Sequence, residues 1–293
     1  MWATADETRE EIVGLYRRAA AHADATIEAL ALDDVGRVPW WGDESVTLPA
    51  AHRGARGAAP VPACFDLSMT SDAPGWEAID ARLDVLYPDV EPKHYGTLHR
   101  FALGGPDPLD GISFYPRDSP VSHWHIVSYG MSELYAKESD NPEESGWGFE
   151  FTFRVTRDIE DTDPPMWAAN MLQNLARYVY SSGNWFESGH HMDANGPIWQ
   201  DYETAVTALA FVEDPELGTI PTPHGQMQFL QVVGLTGDEY EAVQQWTTEG
   251  VLGLLAERAP LLVTDLDRPS LTDDAAVRAV IEAGRAHDDI SPA

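Results

Sequence analysis

The chain has little positive charge to balance its acidic residues. It contains only 18 Lys and Arg residues against 49 Asp and Glu residues, a formal net charge of −31 over 293 residues. A surface this acidic repels the phosphates of nucleic acids and of anionic lipids, so we expect neither nucleic-acid nor membrane binding. The charge either keeps the protein soluble by self-repulsion or steers a basic protein partner towards it.

Long apolar runs and cysteines are also scarce. No stretch reaches the roughly 18 apolar residues of a membrane-spanning helix, and the acidic N-terminus MWATADETREE lacks the basic and apolar regions of a signal peptide. The single cysteine, Cys64, excludes an internal disulfide and fits a reducing compartment. These absences together predict a cytoplasmic protein.

The remaining composition, 43% hydrophobic and 10% aromatic, is sufficient for a packed core. Residues 7–32 show apolar positions at helical spacing, whereas residues 49–68 are rich in Ala, Gly, Pro and Arg and lack periodicity. The sequence therefore predicts three segments. They are a helical segment over 1–48, a flexible linker over 49–68 and a main domain over 69–293.

Strand and helix patterns are mixed in the main domain. The predicted strands are 99–103, 112–115, 123–129, 149–156, 208–212 and 227–233. The predicted helices are 74–86, 165–182, 236–256 and 272–285. Because helices and strands do not alternate strictly, the pattern favours an α+β fold, a mixed β-sheet flanked by helices, with a short helical N-terminal extension.

The string LGGPDPLDGIS, residues 103–113, has the composition of a tight turn. Gly104 and Gly105 permit a tight backbone, and Asp107 and Asp110 are expected to form side-chain-to-backbone hydrogen bonds. No GK[ST] sequence follows and the acids would repel phosphate, so the string is not a phosphate-binding loop.

Two further strings place polar residues on strands. In HWHIVSY, His123 and His125 flank Trp124 and share one strand face. Buried hydrogen-bonding roles are favoured for them over partner contact or over a metal site completed by residues 190–193. In GFEFTFR, three phenylalanines alternate with polar residues, and we expect Glu150 to pair with Arg154 across the polar face.

The residues do not support an enzyme. There is no G-x-S-x-G sequence, and Cys64 lies in the predicted linker without a positioned histidine. We therefore expect no catalytic residue, no resident metal and no cofactor.

The strings LGGPDPLDGIS, HWHIVSYGMSELY and GWGFEFTFR occur in fixed order and resemble the suppressor of fused family. The resemblance continues through PPMWAANMLQNLARYVYSSGNWFESGHHMD, VEDPELGTIPTPHGQMQFLQVVGLTGDE, QQWTTEGVLGLL and LLVTDLDRPSL, and covers about residues 76–270. It implies a protein-binding module rather than an enzyme. Animal members of that family sequester transcription factors by gripping an extended peptide, which adds as a strand to a sheet edge.

The resemblance also implies partner-binding positions. The family's aromatic residue at the end of its central helix corresponds to Tyr178, whereas a family tryptophan corresponds to Ala102 and a family aspartate to His190. Two of these three positions depart from the family, which leaves open a different ligand on the same surface. The density of aromatics and histidines in the adjoining loop is typical of interaction hot spots. The predicted partner-binding residues are Ala102, Tyr178, Trp185, Phe186, His190 and His191.

Since the resemblance covers one domain, it implies the single-domain form found in bacteria, where members are thought to be immunity proteins against polymorphic toxins. The partner would then be a protein such as a basic toxin or effector. Residues 22–48 separately resemble part of a DinB-like four-helix family, which suggests a metal-dependent thiol transferase as an alternative. A general adaptor without a toxin partner is a second alternative.

Overall fold

The computed structural model describes residues 73–99, 101 and 104–288, together with three short strands nearer the N-terminus. The strands are β1 (Trp2–Ala3), β2 (Val35–Arg37), β3 (Ser45–Thr47), β4 (Lys93–Thr97), β5 (Gly111–Arg117), β6 (His123–Tyr129), β7 (Glu144–Thr156), β8 (His191–Asp193), β9 (Val206–Glu213), β10 (Thr219–Thr222) and β11 (Gly225–Thr236). The α-helices are α1 (Pro74–Leu86), α2 (Met166–Ser182), α3 (Gly237–Gln245), α4 (Thr248–Ala256) and α5 (Ala275–Asp288). Short 3-10 turns lie at Pro260–Leu262 and Leu271–Asp273. No helix in these stretches is both long and apolar enough to cross a bilayer.

The chain divides into two compact units. One consists of Met1–Ala5 and Ser71–Ala293, and the other of Asp6–Thr70. The structure describes the second unit only at β2 and β3, which pair antiparallel. The predicted helix over 7–32, the whole linker over 49–68 and most of the DinB-like segment lie outside the described residues, so the predicted domain boundaries stay a prediction.

The first unit is built on one nine-stranded sheet. Its strand order is β1-β4-β5-β6-β7-β11-β9-β8, with β10 paired to β11. β7 and β11 run parallel, and the other neighbours run antiparallel. The predicted α+β fold with a mixed sheet and flanking helices is thereby confirmed.

Both faces of the sheet are covered because its central strands are apolar on both sides. The even-numbered Ile126 of β6 and the odd-numbered Phe151 and Phe153 of β7 face α2. On the opposite face, Val127 packs in the cluster of α1, and Val233 of β11 packs in the cluster of α3, α4 and α5. Since strand side chains alternate between faces, each strand contributes to two cores at once.

Most predicted elements in this unit are present. Helix α1 and strand β6 have the bounds expected from the sequence, and β5, β7, β9 and β11 each contain a predicted strand. The predicted helix over 236–256 is two helices, because Thr247 is extended and its side chain accepts a hydrogen bond from the amide of Gly250 at the start of α4. The last helix begins at Ala275 rather than at residue 272.

The predicted strand over 99–103 is wrong at the positions that the structure describes. The strand here is β4, which ends at Thr97. His99 lies in a bend, and the amide of Phe101 donates to the carbonyl of Asp107 at 2.9 Å. The chain therefore turns immediately after β4 instead of extending further.

The turn in LGGPDPLDGIS is held by side chains from outside it. Gly104 has φ +81°, a conformation that favours glycine. The carboxylate of Asp107 accepts from the guanidinium of Arg177 on α2, and none of the described backbone amides donates to it, although the sequence predicted such a bond. Gln173 Oε1, also on α2, accepts from the amide of Leu109 at 3.1 Å. The turn is thereby fixed to α2.

Candidate functional site

Strand β8 ends the nine-stranded sheet and has only one neighbour, β9, among the described residues. Phe211 donates to the carbonyl of His190 at 2.9 Å, and Ala194 donates to the carbonyl of Thr207 at 3.0 Å. Because antiparallel ladder bonds alternate along a strand, the peptide groups of His191 and Asp193 point away from β9. No described residue hydrogen-bonds to these outward groups, so β8 presents a short open edge.

A glycine and a threonine fix the start of this edge. Gly189 has φ +93°, and a Cβ placed on it would lie 2.6 Å from Glu249 Oε1, so the position requires glycine. The hydroxyl of Thr248 donates to the carbonyl of Gly189 at 2.6 Å and lies 3.2 Å from His191 Nδ1. The N-terminal turn of α4 therefore holds β8 in place.

The loop that leads into β8 leaves α2 at Gly183, whose φ of +75° ends the helix. Tyr178 and Trp185 are 43% and 54% exposed, whereas large aromatic side chains are usually mostly buried. Phe186 is buried, and its ring stacks on Phe211 at a centroid distance of 4.1 Å. The ring of Tyr178 packs against Phe186 at a centroid distance of 5.7 Å, so it rests on buried aromatic residues.

Two cavities lie along the α2 side of β8. The edge groove, about 330 Å³, is lined by Tyr178, Trp185, Phe186, Gly189, His190, His191 and Met192. The tryptophan groove, about 380 Å³, is lined by Trp167, Asn170, Met171, Asn174, Leu175, Tyr178, Met192, Ala194, Pro197, Ile198, Trp199, Gln200, Asp201 and Leu209. Tyr178 and Met192 belong to both, so the two grooves adjoin along the strand.

Stacked rings form one wall of the tryptophan groove. Trp167 of α2 lies parallel to Trp199, with centroids 5.3 Å apart and an interplanar angle of 3°. Trp199 stacks in turn on Tyr202, whose hydroxyl donates to Asp267 at 2.7 Å. Such flat apolar walls favour apolar or aromatic side chains.

The α4 groove, about 450 Å³, lies beside β8 on the α3–α4 side of the sheet. It is lined by Gly189, His191, Val243, Gln244, Trp246, Thr247, Thr248 and Glu249. Its lining is more polar, and the ring of Tyr240 on α3 packs edge-on against His191 at 5.6 Å. The exposed carboxylate of Glu249 is the acidic group in this lining.

Charged groups are buried beneath the sheet on the side of α1 and α3–α5. Arg154 donates to both carboxylate oxygens of Asp214, at 2.6 and 3.1 Å, and to Gln231 at 2.5 Å. His125 Nε2 lies 3.2 Å from Asp214 Oδ2, and its Nδ1 lies 2.7 Å from the hydroxyl of Tyr87. We call Tyr87, His125, Arg154, Asp214 and Gln231 the buried polar cluster.

Burial changes the pKa values of this cluster. Burial, aided by the charge of Arg154, lowers the pKa of His125 to about 4. Burial alone would raise the pKa of Asp214, but the neighbouring His125 and Arg154 hold that pKa well below its ordinary value. Asp214 is therefore a carboxylate whose charge Arg154 balances, which is the arrangement that a stable interior requires.

The expected pair between Glu150 and Arg154 is wrong. Glu150 accepts from the hydroxyls of Ser128 and Ser132, at 2.6 and 2.7 Å, and from the amides of Gly130 and Ser132, both at 2.9 Å. Burial raises the pKa of Glu150 despite these donors. Each of the two charged residues is therefore satisfied by partners on neighbouring strands and turns rather than by the other.

The comparisons with known proteins agree on one family. The model of the family described as suppressor of fused protein matches residues 105–269, more than half of the chain. The chain belongs to the suppressor of fused family. It is 38% identical over 211 residues to the human and mouse suppressor of fused homologues.

Solved suppressor of fused structures share the fold. The crystal structure of Drosophila Suppressor of Fused matches with TM-score 0.68 and 31% identity, covering 72% of this chain and 54% of that one. The structure of the Sufu–Fu complex matches with the same score and identity, covering 72% of this chain and 97% of the matched chain. The match to the two curated mammalian relatives covers 66% of this chain and 43% of their length.

The structure brings most of the expected partner-binding residues of this family member to one place. Tyr178, Trp185, His190 and His191 are exposed and line the edge groove. Phe186 lines it too but is buried, so it forms the base of the groove rather than its surface. Ala102 lies outside the described residues, and its expected role stays a prediction.

The histidines of HWHIVSY and the tryptophan between them are buried. Side chains of His123, Trp124 and His125 are inaccessible or nearly so, and His123 Nδ1 lies 2.7 Å from the carbonyl of Val121. Burial lowers the pKa of His123 to about 4, as it does for His125. Among the described residues, no group of three His, Cys, Asp or Glu side chains is arranged to hold a metal ion.

Several residues important to the site carry weak sequence signals. Asp214 Oδ1 accepts from the amides of Glu216 and Leu217, both at 2.9 Å, as the aspartate of a D-P-x-x turn commonly does. The sequence VEDPELG indicates this turn, but it does not indicate the contact between Asp214 and Arg154 across the sheet. Thr248 and Glu249 contact Gly189 from almost 60 residues away, a relation that the sequence does not display.

Proposed function

We propose that this chain is a protein-binding module that captures an extended segment of a partner protein on the open edge of β8. The observation that carries the proposal is the outward-facing peptide groups of His191 and Asp193, flanked by exposed aromatic side chains. Unpaired edge groups bind an added strand through main-chain hydrogen bonds, while neighbouring pockets select its side chains.

The comparisons support this proposal at the level of the family. One of the similar solved structures is a complex of Sufu with Fu, so a relative of this chain associates with another protein. By the sequence resemblance, Tyr178 corresponds to an aromatic with which the family contacts its partner, and Tyr178 lines the edge groove beside β8. The departures at Ala102 and His190 favour a partner segment different from the animal one.

The partner proposed is a basic protein, held inactive by occlusion as a toxin is by its immunity protein. The net charge of −31 supports this choice, because such a surface accelerates encounter with a cationic partner and repels anionic ones. A general adaptor would bind its partner at the same edge. The two functions therefore differ in whether binding inactivates the partner, not in the surface that binds it.

The metal-dependent thiol transferase alternative gains no support from a specific contact. It depends on a resemblance of residues 22–48, of which the structure describes only 35–37 and 45–47.

The test compares two substitutions at one edge position. Asp193→Pro removes an outward amide but leaves the ladder to β9 intact, because the ladder bonds belong to alternate residues. Asp193→Ala keeps that amide and removes the same side chain, whose Oδ1 accepts from Asn195. We expect the proline variant to retain the fold but to lose affinity by roughly tenfold, and the alanine variant to lose less than about twofold.

The measurement uses the full chain as bait in the source lysate, with quantitative mass spectrometry at low and high salt. A partner recovered by the wild type and the alanine variant but depleted by the proline variant would support strand addition. Equal recovery by all three baits would contradict it. Co-expression of the recovered partner then distinguishes the functions, since protection of the host from a toxic partner indicates immunity and its absence an adaptor.

A further inference from the structure

The grooves on the two sides of β8 differ in chemistry, and that difference constrains the sequence of a bound segment. We propose that β8 selects a triplet of apolar, basic and apolar residues, in which the two apolar side chains occupy the edge groove and the tryptophan groove and the basic side chain reaches Glu249 in the α4 groove. This inference rests on the proposed strand addition and specifies its ligand.

The first step is the alternation of side chains. A strand added to β8 continues the pleat of the sheet, so its successive side chains point to opposite faces. Met192 of β8 packs with the α2 core, which places His191 and Asp193 on the α3–α4 face. Side chains of the added strand therefore enter the α2 side and the α3–α4 side in turn.

The second step is the order of the grooves. The edge groove and the α4 groove share Gly189 and His191, so they lie on opposite sides of the same stretch of edge. The tryptophan groove adjoins the edge groove at Met192 and continues past Ala194. Residues two apart on a strand are separated by about 6.6–7 Å, which allows consecutive same-face side chains to occupy the two adjoining grooves.

The third step is the chemistry of each groove. On the α2 side, Tyr178, Met192 and the parallel rings of Trp167 and Trp199 present apolar surface. On the opposite side, the carboxylate of Glu249 is exposed and lies against Gly189. No described residue forms an ion pair or hydrogen bond with this carboxylate, although Glu239, Glu216 and Asp214 are all paired with arginines.

The fourth step is that the backbone of Glu249 is held beside the edge. Thr247 caps the first turn of α4, and Thr248 attaches that turn to the carbonyl of Gly189. The carboxylate of Glu249 therefore stays within reach of an ammonium or guanidinium group on an added strand. An acidic side chain in the same place would be repelled.

The experiment selects random decapeptides displayed on phage against the immobilised full chain. We expect the enriched sequences to share the apolar–basic–apolar triplet. With Glu249→Lys as the target, the middle position should change to Asp or Glu. The matched control Glu257→Lys makes the same change of charge at the other end of α4 and should leave the preference unchanged.

Affinity measurements then quantify the pair. A synthetic peptide carrying an enriched triplet should lose about two- to fivefold in affinity at low salt when its basic residue is replaced by Gln. The same replacement should have no effect on the Glu249→Gln protein, whose circular dichroism spectrum reports that the fold is retained.

The outcomes separate this inference from the proposed function. Enriched peptides that lack a basic middle residue, or that are unchanged by Glu249→Lys, overturn the triplet, while their loss of binding to Asp193→Pro preserves strand addition. Peptides that bind Asp193→Pro as well as Asp193→Ala overturn both, as does a selection that enriches no sequence.

Discussion

At the centre of the sheet, β6, β7 and β11 each have neighbours on both sides, and the charged Glu150 and Arg154 of β7 are buried and hydrogen-bonded. At β8 the sheet ends in three residues. Its histidines are exposed, and no described residue hydrogen-bonds to its outward peptide groups. The first region obtains its structure from long, apolar strands, whereas the second is held from outside by Thr248 and Gly189. The difference separates the part that maintains the fold from the part available to a partner.

The largest loss of stability is expected when a buried charge is removed from the centre of the sheet. Arg154→Met deletes the partner of buried Asp214 and leaves Gln231 without its donor. We expect the free energy of unfolding to fall by about 3–5 kcal/mol, as measured by urea denaturation. The control Arg258→Met removes an exposed pair with Asp274 and should cost less than about 1 kcal/mol. Similar losses in both variants would contradict the assignment.

Acid should destabilise the centre through its histidines. The pKa of His125 is lowered to about 4, so below about pH 6.5 the unfolded chain binds protons that the folded protein does not. Stability is therefore present above pH 6.5 and lost as the pH falls towards 4, by about 2–3 kcal/mol for this histidine.

The pH dependence is checked with urea titrations at several pH values. His125→Gln should flatten the loss between pH 6.5 and 4, leaving the part contributed by His123. A slope that persists in full in His125→Gln would show that other groups cause it.

A smaller effect is expected where α2 is attached to the turn that precedes β5. Gln173 on α2 accepts from the amide of Leu109, and both residues are buried. Gln173→Met keeps the volume but leaves this amide without a partner, so we expect a loss of about 1–2 kcal/mol. Exposed Asn174→Met, at the next position of α2, should change stability by less than about 0.5 kcal/mol. Equal effects would mean that the bond to the turn contributes nothing.

The sequence predicted the central region well because its signals are local. The alternation in GFEFTFR correctly placed Phe149, Phe151 and Phe153 on one face, and HWHIVSY predicted β6 with its correct bounds. The pairing of Glu150 with Arg154 failed because spacing within one strand does not show which neighbours on other strands are nearer. Asp214, the actual partner of Arg154, is 60 residues away.

The edge was harder to predict for a physical reason. Three residues, His191 to Asp193, carry too few side chains to show a strand pattern, and β8 exists because β9 and α4 hold it. The sequence nonetheless directed attention to Tyr178, Trp185, His190 and His191 through their aromatic and imidazole content. Composition thus located the surface, whereas the open peptide groups became visible only in three dimensions.

Removal of the Trp185 side chain should have the smallest effect on stability but a large effect on partner binding. Trp185 is 54% exposed, and its indole donates only to exposed Glu187 at 2.8 Å. Trp185→Ala should therefore change the free energy of unfolding by less than about 0.5 kcal/mol. Its loss from the edge groove should nevertheless weaken partner binding by about tenfold, since aromatic anchors carry much of the energy of such interfaces.

The matched control is Val85→Ala on α1, at a side chain that is 73% exposed but outside the edge groove. Binding is measured by isothermal titration with the partner or peptide recovered above, and unfolding by urea. If Trp185→Ala destabilised the fold as much as a buried substitution, the indole would belong to the framework. If both variants bound equally well, the partner surface would lie elsewhere. The proposal that the centre maintains the fold while the β8 edge binds the partner would then be contradicted.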